Sequence, residues 1–269
     1  MFKARRLIAV FAVLSIAVIL LFNFLRGQYV LPILMYHSVT LLAQKPNALA
    51  LKPDTFERQM RFLKTHHYRV IPLEQAVELV KEKKKIPPKT VVLTFDDGYQ
   101  DNYFYAFSVL KKYQFPATFF IIIDEVGRAQ DDRLSWKQIK EMQDSGLAIF
   151  GSHALGPDPL IKIKSAAELE RQVSLSRKIL AEKLGRQVQF FSYPEGMFNE
   201  KIREAVINAG YLAAVATSPG KNYPDDDIFA LKRLRISENS ANLFVFAVES
   251  SGYYTFMKEA KRKHGHGKK

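Results

Sequence analysis

The feature that most constrains the fold is an alternation, after residue 30, of short apolar runs with amphipathic segments of helical period. Apolar runs such as TVVLTF (90–95), ATFFIII (117–123) and LAAVAT (212–217) predict buried strands, and segments such as 54–66 and 166–184 predict the helices between them. Parallel strands need crossover connections of this kind. The sequence therefore predicts an α/β domain, and seven or eight such units in one domain favour a (β/α) barrel.

The N-terminus predicts a membrane anchor. Residues 7–25 carry no charge, and at about 1.5 Å per residue a helix of this length spans roughly 28 Å, close to the thickness of a hydrocarbon core. Lys3, Arg5 and Arg6 precede the run, so the positive-inside rule places residues 1–6 in the cytoplasm. No small-residue cleavage site follows, which favours an anchor over a cleaved signal peptide. We expect a single-pass protein of the cell membrane whose domain, residues 31–255, is extracytoplasmic.

The net charge of +13 favours anionic partners. The sequence has no cysteine, which excludes disulfides and thiolate metal sites. Much of the excess charge lies in KEKKK (81–85) and in the tail 258–269, which we expect to be disordered. The simplest interpretation is a solvated helix end and a solvated tail. The alternative is contact of the tail with anionic lipid or an anionic wall polymer. No motif indicates nucleic-acid binding.

Two adjacent carboxylates, Asp96 and Asp97, follow the apolar run 90–95 directly. In a barrel, functional side chains collect at the carboxyl ends of strands. Neighbouring side chains of a regular strand point to opposite faces, but Gly98 allows a sharp turn through which both carboxylates can reach one volume. A metal ion would relieve their repulsion. The alternative, a polar turn in which Asp97 caps the next helix, explains only one of the two.

Two histidines also end apolar runs, His37 after ILMY and His153 after IFGS. Both are expected on the same rim as the carboxylates. A ligand role is favoured for His153 over a structural role in the core, because Gly151 and Ser152 let its strand end turn. For His37 the two interpretations stay equally open.

These segments resemble a known family. LTFDDGYQDNY, KYQFPATFFI, LSWKQIKEMQDSGLAIFGSHALGPDPL and FFSYPEGMFNE, preceded by PILMYHSV, are similar to the polysaccharide deacetylases with a NodB-homology domain, carbohydrate esterase family 4. The resemblance covers residues 31–236. It implies a distorted (β/α) barrel that removes acetyl groups from N-acetylated sugars in a polymer. It also implies that Asp96 is the general base and that Asp97 and His153 are metal ligands.

The metal motif departs from the family pattern. The family has a second histidine four or five residues after the first, where this chain has Pro157 and Asp158. Only Asp158 of these two can coordinate, so the resemblance implies an Asp97, His153 and Asp158 site. Zinc is the metal we expect, and manganese or cobalt are alternatives because two carboxylates suit harder ions.

The third motif departs as well. Ser192, Tyr193, Pro194 and Glu195 occupy the place where the family has an Arg-x-Pro-Tyr sequence, so the arginine that would orient the base is missing there. The backbone N–H of Glu195 is the candidate oxyanion donor, and Tyr193 is a candidate for stacking on a sugar ring. The C-terminal histidine that serves as general acid in the family has no counterpart, and His37 is the candidate replacement.

The resemblance therefore implies a metal-dependent hydrolase that removes N-acetyl groups from an extracytoplasmic polymer containing N-acetylglucosamine. An esterase acting on O-acetyl groups would use the same residues. The alternative from another class is a membrane-tethered glycan-binding or scaffold protein that kept the barrel and lost the chemistry. The three missing residues favour that alternative, and the retained Asp96, Asp97 and His153 favour the enzyme.

Overall fold

The computed structural model describes residues 2–27, 29–41, 49–128, 132–217 and 227–254. The predicted tail, residues 258–269, lies outside these ranges. The α-helices within them are α1 (Phe2–Gly27), α2 (Pro53–Thr65), α3 (Leu73–Lys81), α4 (Phe107–Tyr113), α5 (Trp136–Asp144), α6 (Ala166–Glu170), α7 (Ser176–Leu184), α8 (Glu200–Asn208) and α9 (Leu243–Ser250). The strands are β1 (Ile33–Tyr36), β2 (Ser38–Val39), β3 (Ala50–Leu51), β4 (Arg69–Val70), β5 (Thr90–Phe95), β6 (Ala117–Ile121), β7 (Ala148–Ser152), β8 (Phe190–Ser192), β9 (Ala213–Ala216), β10 (Leu231–Lys232) and β11 (Leu234–Arg235).

The main sheet is parallel throughout and nearly closes on itself. Its strand order is β10-β9-β8-β7-β6-β5-β1-β11, and β4 pairs with the beginning of β5. β10 and β11, at the two ends of this order, are separated along the chain by Arg233 alone. The predicted (β/α) barrel is therefore confirmed, with its seam at Arg233.

The sequence predicts a single strand over 230–236, and the structure divides it. Leu231 pairs with Val215 of β9, whereas Leu234 pairs with Leu34 of β1 on the other side of the seam. One short segment thus bonds to both edges of the sheet, which closes the barrel and leaves Arg233 between the two edges.

The predicted helix 166–184 is also divided, by a turn of π-helix over Arg171–Leu175 that joins α6 to α7. Ser165 caps its start by accepting a hydrogen bond from the backbone N–H of Glu168 at 3.3 Å. Gly185, with φ of 66°, ends it in the left-handed conformation. Both boundaries lie within a residue of those predicted.

Side chains alternate between the two faces of the sheet. Val91, Leu93 and Phe95 pack with the helices in the larger hydrophobic cluster, whereas Val92 belongs to a second cluster with Phe120 of β6. This second cluster also holds inward residues of other strands, Phe190, Val215 and Leu231, and side chains of α3. The inner row of β5 therefore runs through residues 92 and 94 toward residue 96.

The N-terminal segment forms α1. Phe11, Leu14 and Ile19 lie on it and are exposed. Among the residues that the structure describes, no helix has the length and the apolar character that a membrane span requires. The predicted anchor over 7–25 is not confirmed and stays a prediction.

The approach of β7 to its neighbours gives a test of the barrel packing. A Cβ atom at Gly151 would lie 2.6 Å from a ring carbon of Phe120 and 2.8 Å from the carbonyl oxygen of Phe190. Gly151→Ala should lower the free energy of unfolding by about 1–3 kcal/mol, as overpacked cores do. Urea unfolding followed by the fluorescence of Trp136 measures the change. Gly156→Ala, with no atom within 4 Å of its new methyl, should unfold at or slightly above the wild-type midpoint. Equal midpoints for the two variants would contradict this packing.

Candidate active site

A cavity of about 360 Å³ opens at the carboxyl ends of the barrel strands. Most of the ionisable candidates from the sequence line it, together with two arginines. They are His37, Asp96, Asp97, Arg133, His153, Glu195 and Arg235, with Pro157 beside them. The structure therefore brings five of the eight predicted site residues to one place and leaves out Asp158, Tyr193 and Pro194.

Asp96 continues the inner row of β5 and is buried. Its two carboxylate oxygens accept hydrogen bonds from the two terminal nitrogens of Arg233, at 2.7 and 2.6 Å. Ser192 of β8 donates a third, longer bond of 3.3 Å. The base predicted from the sequence is thus held in a bidentate ion pair.

Arg233 is itself fully buried and fully hydrogen-bonded. Besides Asp96 it donates to the carbonyl oxygen of Ala216 at 3.1 Å, to the hydroxyl of Thr94 at 3.2 Å and to the hydroxyl of Ser192 at 2.9 Å. These bonds use all five N–H donors that a guanidinium has. The third motif has no arginine, as the sequence indicates, but the expectation that Asp96 lacks an arginine partner is corrected, because Arg233 binds its carboxylate from the barrel seam.

The sequence carries one signal that points to Arg233. Residues two apart on a strand share a face, and Leu231 is an apolar residue of the same run. Alternation alone therefore places Arg233 on the same face as Leu231, and the structure shows that this face points into the barrel. Only the folded barrel shows that this face meets Asp96.

Asp97 and Gly98 form the turn that the sequence predicts. Their φ angles are 69° and 67°, in the left-handed region that aspartate tolerates and glycine adopts freely. The turn directs the Asp97 carboxylate into the cavity beside Asp96. The alternative of a helix cap is not observed, since the residue before the next helical turn is Asp101.

His153 faces Asp97. Its Nε2 lies 3.4 Å from Oδ1 of Asp97, and its Nδ1 lies 2.8 Å from the carbonyl oxygen of Ser192. A carbonyl only accepts, so Nδ1 carries a proton and Nε2 is the nitrogen available to a metal. Two ligands that each lie about 2.1 Å from one tetrahedral ion are roughly 3.4 Å apart. Asp97 and His153 therefore fit a shared divalent cation.

The pKa shifts of Asp96, Asp97 and His153 show that this site favours positive charge. Burial raises the pKa of Asp96, but Arg233 and His153 outweigh it and hold the pKa at about 2. For Asp97 burial again acts upward, and the bond to His153 leaves the pKa below its ordinary value. Burial lowers the pKa of His153, yet Asp96 and Asp97 raise it above its ordinary value. A cation next to Asp97, whether a proton on His153 or a metal ion, satisfies these carboxylates.

His37 lines the cavity, and its Nδ1 is buried with no hydrogen-bond partner among the described atoms. Burial lowers the pKa of His37, against the opposing effect of Asp96 and Asp97. The ring is therefore neutral at neutral pH. His37 faces the same cavity as Asp96 and Asp97.

Asp158 is exposed and does not line the cavity, whereas Pro157 does. Ala154 has φ of 67°, so the chain turns sharply just after His153 and the loop that follows takes its own direction. Within the described ranges no three metal-type side chains cluster. The three-ligand set expected from the sequence is therefore not assembled here, and Asp97 with His153 is the pair that the structure brings together.

The third motif forms a second left-handed turn. Glu195 and Gly196 have φ angles of 56° and 70°, and a Cβ atom at Gly196 would lie 2.3 Å from Thr217, so only glycine fits there. Glu195 is exposed at the cavity, and its backbone N–H donates to no backbone acceptor in the described residues. That N–H is free to serve as an oxyanion donor.

Tyr193 and Pro194 are buried. The Tyr193 ring stacks on Phe198 at 4.4 Å, and its hydroxyl donates to the carbonyl oxygen of Phe229. The prediction that Tyr193 stacks on a sugar is corrected, because a fully buried ring has no face left for one. Its role is to anchor the turn that presents Glu195.

Comparison with known proteins places this chain in a family. Residues 83–214 match the family model described as polysaccharide deacetylase. The provisionally named polysaccharide deacetylase YxkH of Bacillus subtilis (strain 168) is 34% identical over 221 residues, which cover 82% of this chain and 76% of the relative. A poly-beta-1,6-N-acetyl-D-glucosamine N-deacetylase of Staphylococcus aureus (strain MSSA476) is 29% identical over 71% of this chain and 69% of its own length.

A solved structure agrees with these sequence matches. The Streptococcus pyogenes deacetylase PplD, in complex with acetate, superposes with a TM-score of 0.73 at 27% identity and covers 80% of this chain and 97% of its own. The matches of sequence and of fold lead to one conclusion. The chain belongs to the polysaccharide deacetylase family.

Proposed function

We propose that this protein is a metal-dependent hydrolase that removes N-acetyl groups from an extracytoplasmic polymer containing N-acetylglucosamine. The observation that carries the proposal is the 3.4 Å approach of Asp97 to His153 beside the buried carboxylate of Asp96 in one open cavity. The relative from S. aureus, named for deacetylation of poly-beta-1,6-N-acetyl-D-glucosamine, supports this class of substrate. O-acetyl groups are the second substrate class that the same residues suit.

Asp97 and His153 would hold the metal, with zinc as the first candidate and manganese or cobalt as alternatives. When bound, such an ion acts as a Lewis acid that lowers the pKa of a water molecule and polarises a carbonyl oxygen. Asp158 lies outside this pair, so we do not include it among the ligands.

The chain's own groups then have distinct tasks. Asp96 takes a proton from the attacking water, and the bidentate contact with Arg233 fixes the direction of its carboxylate. The Glu195 N–H donates to the oxygen on which negative charge develops, a contact of a kind worth about 3 kcal/mol. The proton that Asp96 has taken then passes to the leaving amine, through the neutral ring of His37 or through a water molecule beside it.

The alternative of a glycan-binding protein without chemistry loses one of its three arguments. It rested on a missing arginine, a missing second histidine and a missing C-terminal histidine, and Arg233 supplies the first. A binding protein has no need for a buried carboxylate and arginine pair at the floor of its cavity, since burial of two charges costs free energy.

For location, we infer that the domain stands outside the cytoplasm on an N-terminal membrane anchor. Support comes from the basic residues before the run 7–25 and from Phe11, Leu14 and Ile19 of α1, which are exposed. A helix that exposes apolar side chains to this extent is typical of contact with lipid.

The central test of the proposal is Asp96→Asn. Acetate release from N-acetylglucosamine oligomers should fall to background, because the amide cannot accept the proton. Metal content should stay near the wild-type value. Unfolding in urea is measured beside activity, since Arg233 loses its counterion and the change should cost several kcal/mol, about 3–5 for a broken buried pair. A folded variant that still releases acetate would refute the role of Asp96.

The proposed metal ligands, Asp97 and His153, are tested by comparing Asp97→Ala with Asp158→Ala. Asp97→Ala should lose bound zinc on dialysis and lose acetate release, because one of two ligands is removed. Asp158→Ala deletes a carboxylate only five residues from His153 and should keep both. Metal content is measured by elemental analysis. Zinc lost from Asp158→Ala to the same degree would restore Asp158 to the ligand set.

Arg233 is a positioning residue, and its test is a pH profile. Without its charge, burial dominates and the pKa of Asp96 rises from about 2, so the acidic limb of kcat/KM should move to higher pH in Arg233→Met. Arg233→Lys keeps the positive charge but loses the bidentate hydrogen bonds of the guanidinium. Its kcat should therefore fall about tenfold or more, with a smaller shift of the acidic limb of kcat/KM. Arg186→Lys, on the exposed surface, is the matched control. An unchanged acidic limb in Arg233→Met would contradict this role.

A further inference from the structure

A second cavity, of about 250 Å³, lies at the opposite end of the barrel from the candidate active site. The Tyr29 side chain marks its position, because its hydroxyl bonds to both the N–H and the carbonyl oxygen of Thr90, at 3.1 and 3.2 Å. Thr90 begins β5 and Asp96 follows its end. Six residues of strand separate the two cavities by roughly 20 Å. We call this second cavity the basal pocket. Its lining is Arg26, Tyr29, Lys83, Lys84, Lys85, Ile86, Pro88 and Tyr253.

The basal pocket is strongly cationic. Arg26 and three consecutive lysines line it, and the nearby carboxylate of Glu82 pairs with Lys84 at 2.6 Å. Lysine side chains just after a helix often donate hydrogen bonds to its last carbonyl groups. Here backbone N–H groups already cap α3, from Lys83 to the carbonyl oxygen of Val80 and from Lys84 to that of Leu79. Backbone N–H groups therefore already bond to these two terminal carbonyls.

The other walls are aromatic and apolar. The rings of Tyr29 and Tyr253 meet edge to face, with centroids 5.6 Å apart. Gly252 allows this packing, since a Cβ atom there would lie 2.3 Å from the Tyr29 ring. Ile86 and Pro88 complete the lining. Tyrosines beside cations and apolar side chains are the composition of protein surfaces at the level of lipid headgroups.

The basal pocket is continuous with α1. Arg26 belongs to the last turn of that helix, and Phe11, Leu14 and Ile19 before it are exposed by more than half of their surface, at 63%, 56% and 57%. An exposed apolar helix that leads directly to a cationic pocket suits a phospholipid, which has an acyl region and an anionic headgroup. A wall polymer would match the charge alone.

We propose that the basal pocket binds the phosphate headgroup of an anionic phospholipid and so holds the base of the barrel against the membrane. The candidate active site, at the other end of β5, then faces away from the bilayer. The inference rests on the proposed location of the chain and is independent of the deacetylase chemistry.

The experiment uses the full chain. Membrane fractionation of expressing cells comes first and tests the location by itself. The chain purified in detergent micelles is then titrated with dioctanoyl phosphatidylglycerol, with dioctanoyl phosphatidylcholine and with a soluble poly(glycerol phosphate), and native mass spectrometry measures binding. We expect phosphatidylglycerol to bind most tightly. The triple variant Lys83→Gln, Lys84→Gln, Lys85→Gln should raise its Kd about tenfold or more, because each cation adds several-fold to affinity for an anionic surface.

The matched control removes the same charge elsewhere. Lys137→Gln, Lys178→Gln, Lys201→Gln changes three exposed lysines on α5, α7 and α8, and it should keep the wild-type Kd. Equal binding of the two lipids, an equal loss in the control, or tighter binding of poly(glycerol phosphate) would overturn the inference. Acetate release should be normal in both triple variants. If the basal triple variant keeps the wild-type Kd for phosphatidylglycerol and releases acetate normally, only the basal pocket is refuted. If its Kd rises but neither the wild type nor the variants release acetate, only the proposed enzyme is refuted.

Discussion

The buried ion pair between Asp96 and Arg233 is the interaction on which the rest of the structure depends. Two charges in the centre of a barrel are costly unless their hydrogen-bonding groups are all satisfied. Arg233 meets this condition by bonding to β5, β8 and β9 at once, through Thr94, Ser192 and Ala216, besides its bonds to Asp96. It lies between β10 and β11, where the sheet closes. The contact that directs the candidate base therefore also joins the two edges of the barrel.

This pair answers the question that two adjacent carboxylates raise. The sequence suggests one metal ion that relieves the repulsion of both, and the structure instead gives each carboxylate its own partner. Asp96 turns inward to Arg233, and the left-handed turn at Asp97 and Gly98 takes the second carboxylate to His153. A metal held by Asp97 and His153 would need to balance only one of the two charges.

The sequence predicted those parts of the site that depend on local pattern. Asp96, Asp97 and His153 were predictable because each follows an apolar run, and parallel strands of a barrel bring their carboxyl ends to one rim. Arg233 was not, because its importance lies in a neighbour 137 residues away that only strand order brings near. Asp158 was placed by its distance along the chain from His153, and Tyr193 by its position in the third motif. The direction of a side chain after a strand depends on loop conformation instead, here on the left-handed Ala154 and on the packing of Tyr193 against Phe198.

The ion pair also limits the chemistry that Asp96 can perform. A carboxylate with a pKa of about 2 is ionised at any working pH, but it is a weak base and takes a proton from ordinary water very poorly. It becomes effective only toward water that something else has made acidic. Asp97 and His153, directly beside it, are the groups that can hold the ion to do so. Arg233 thus gives direction at the expense of basicity, and this loss of basicity supports the proposed dependence of the reaction on a metal.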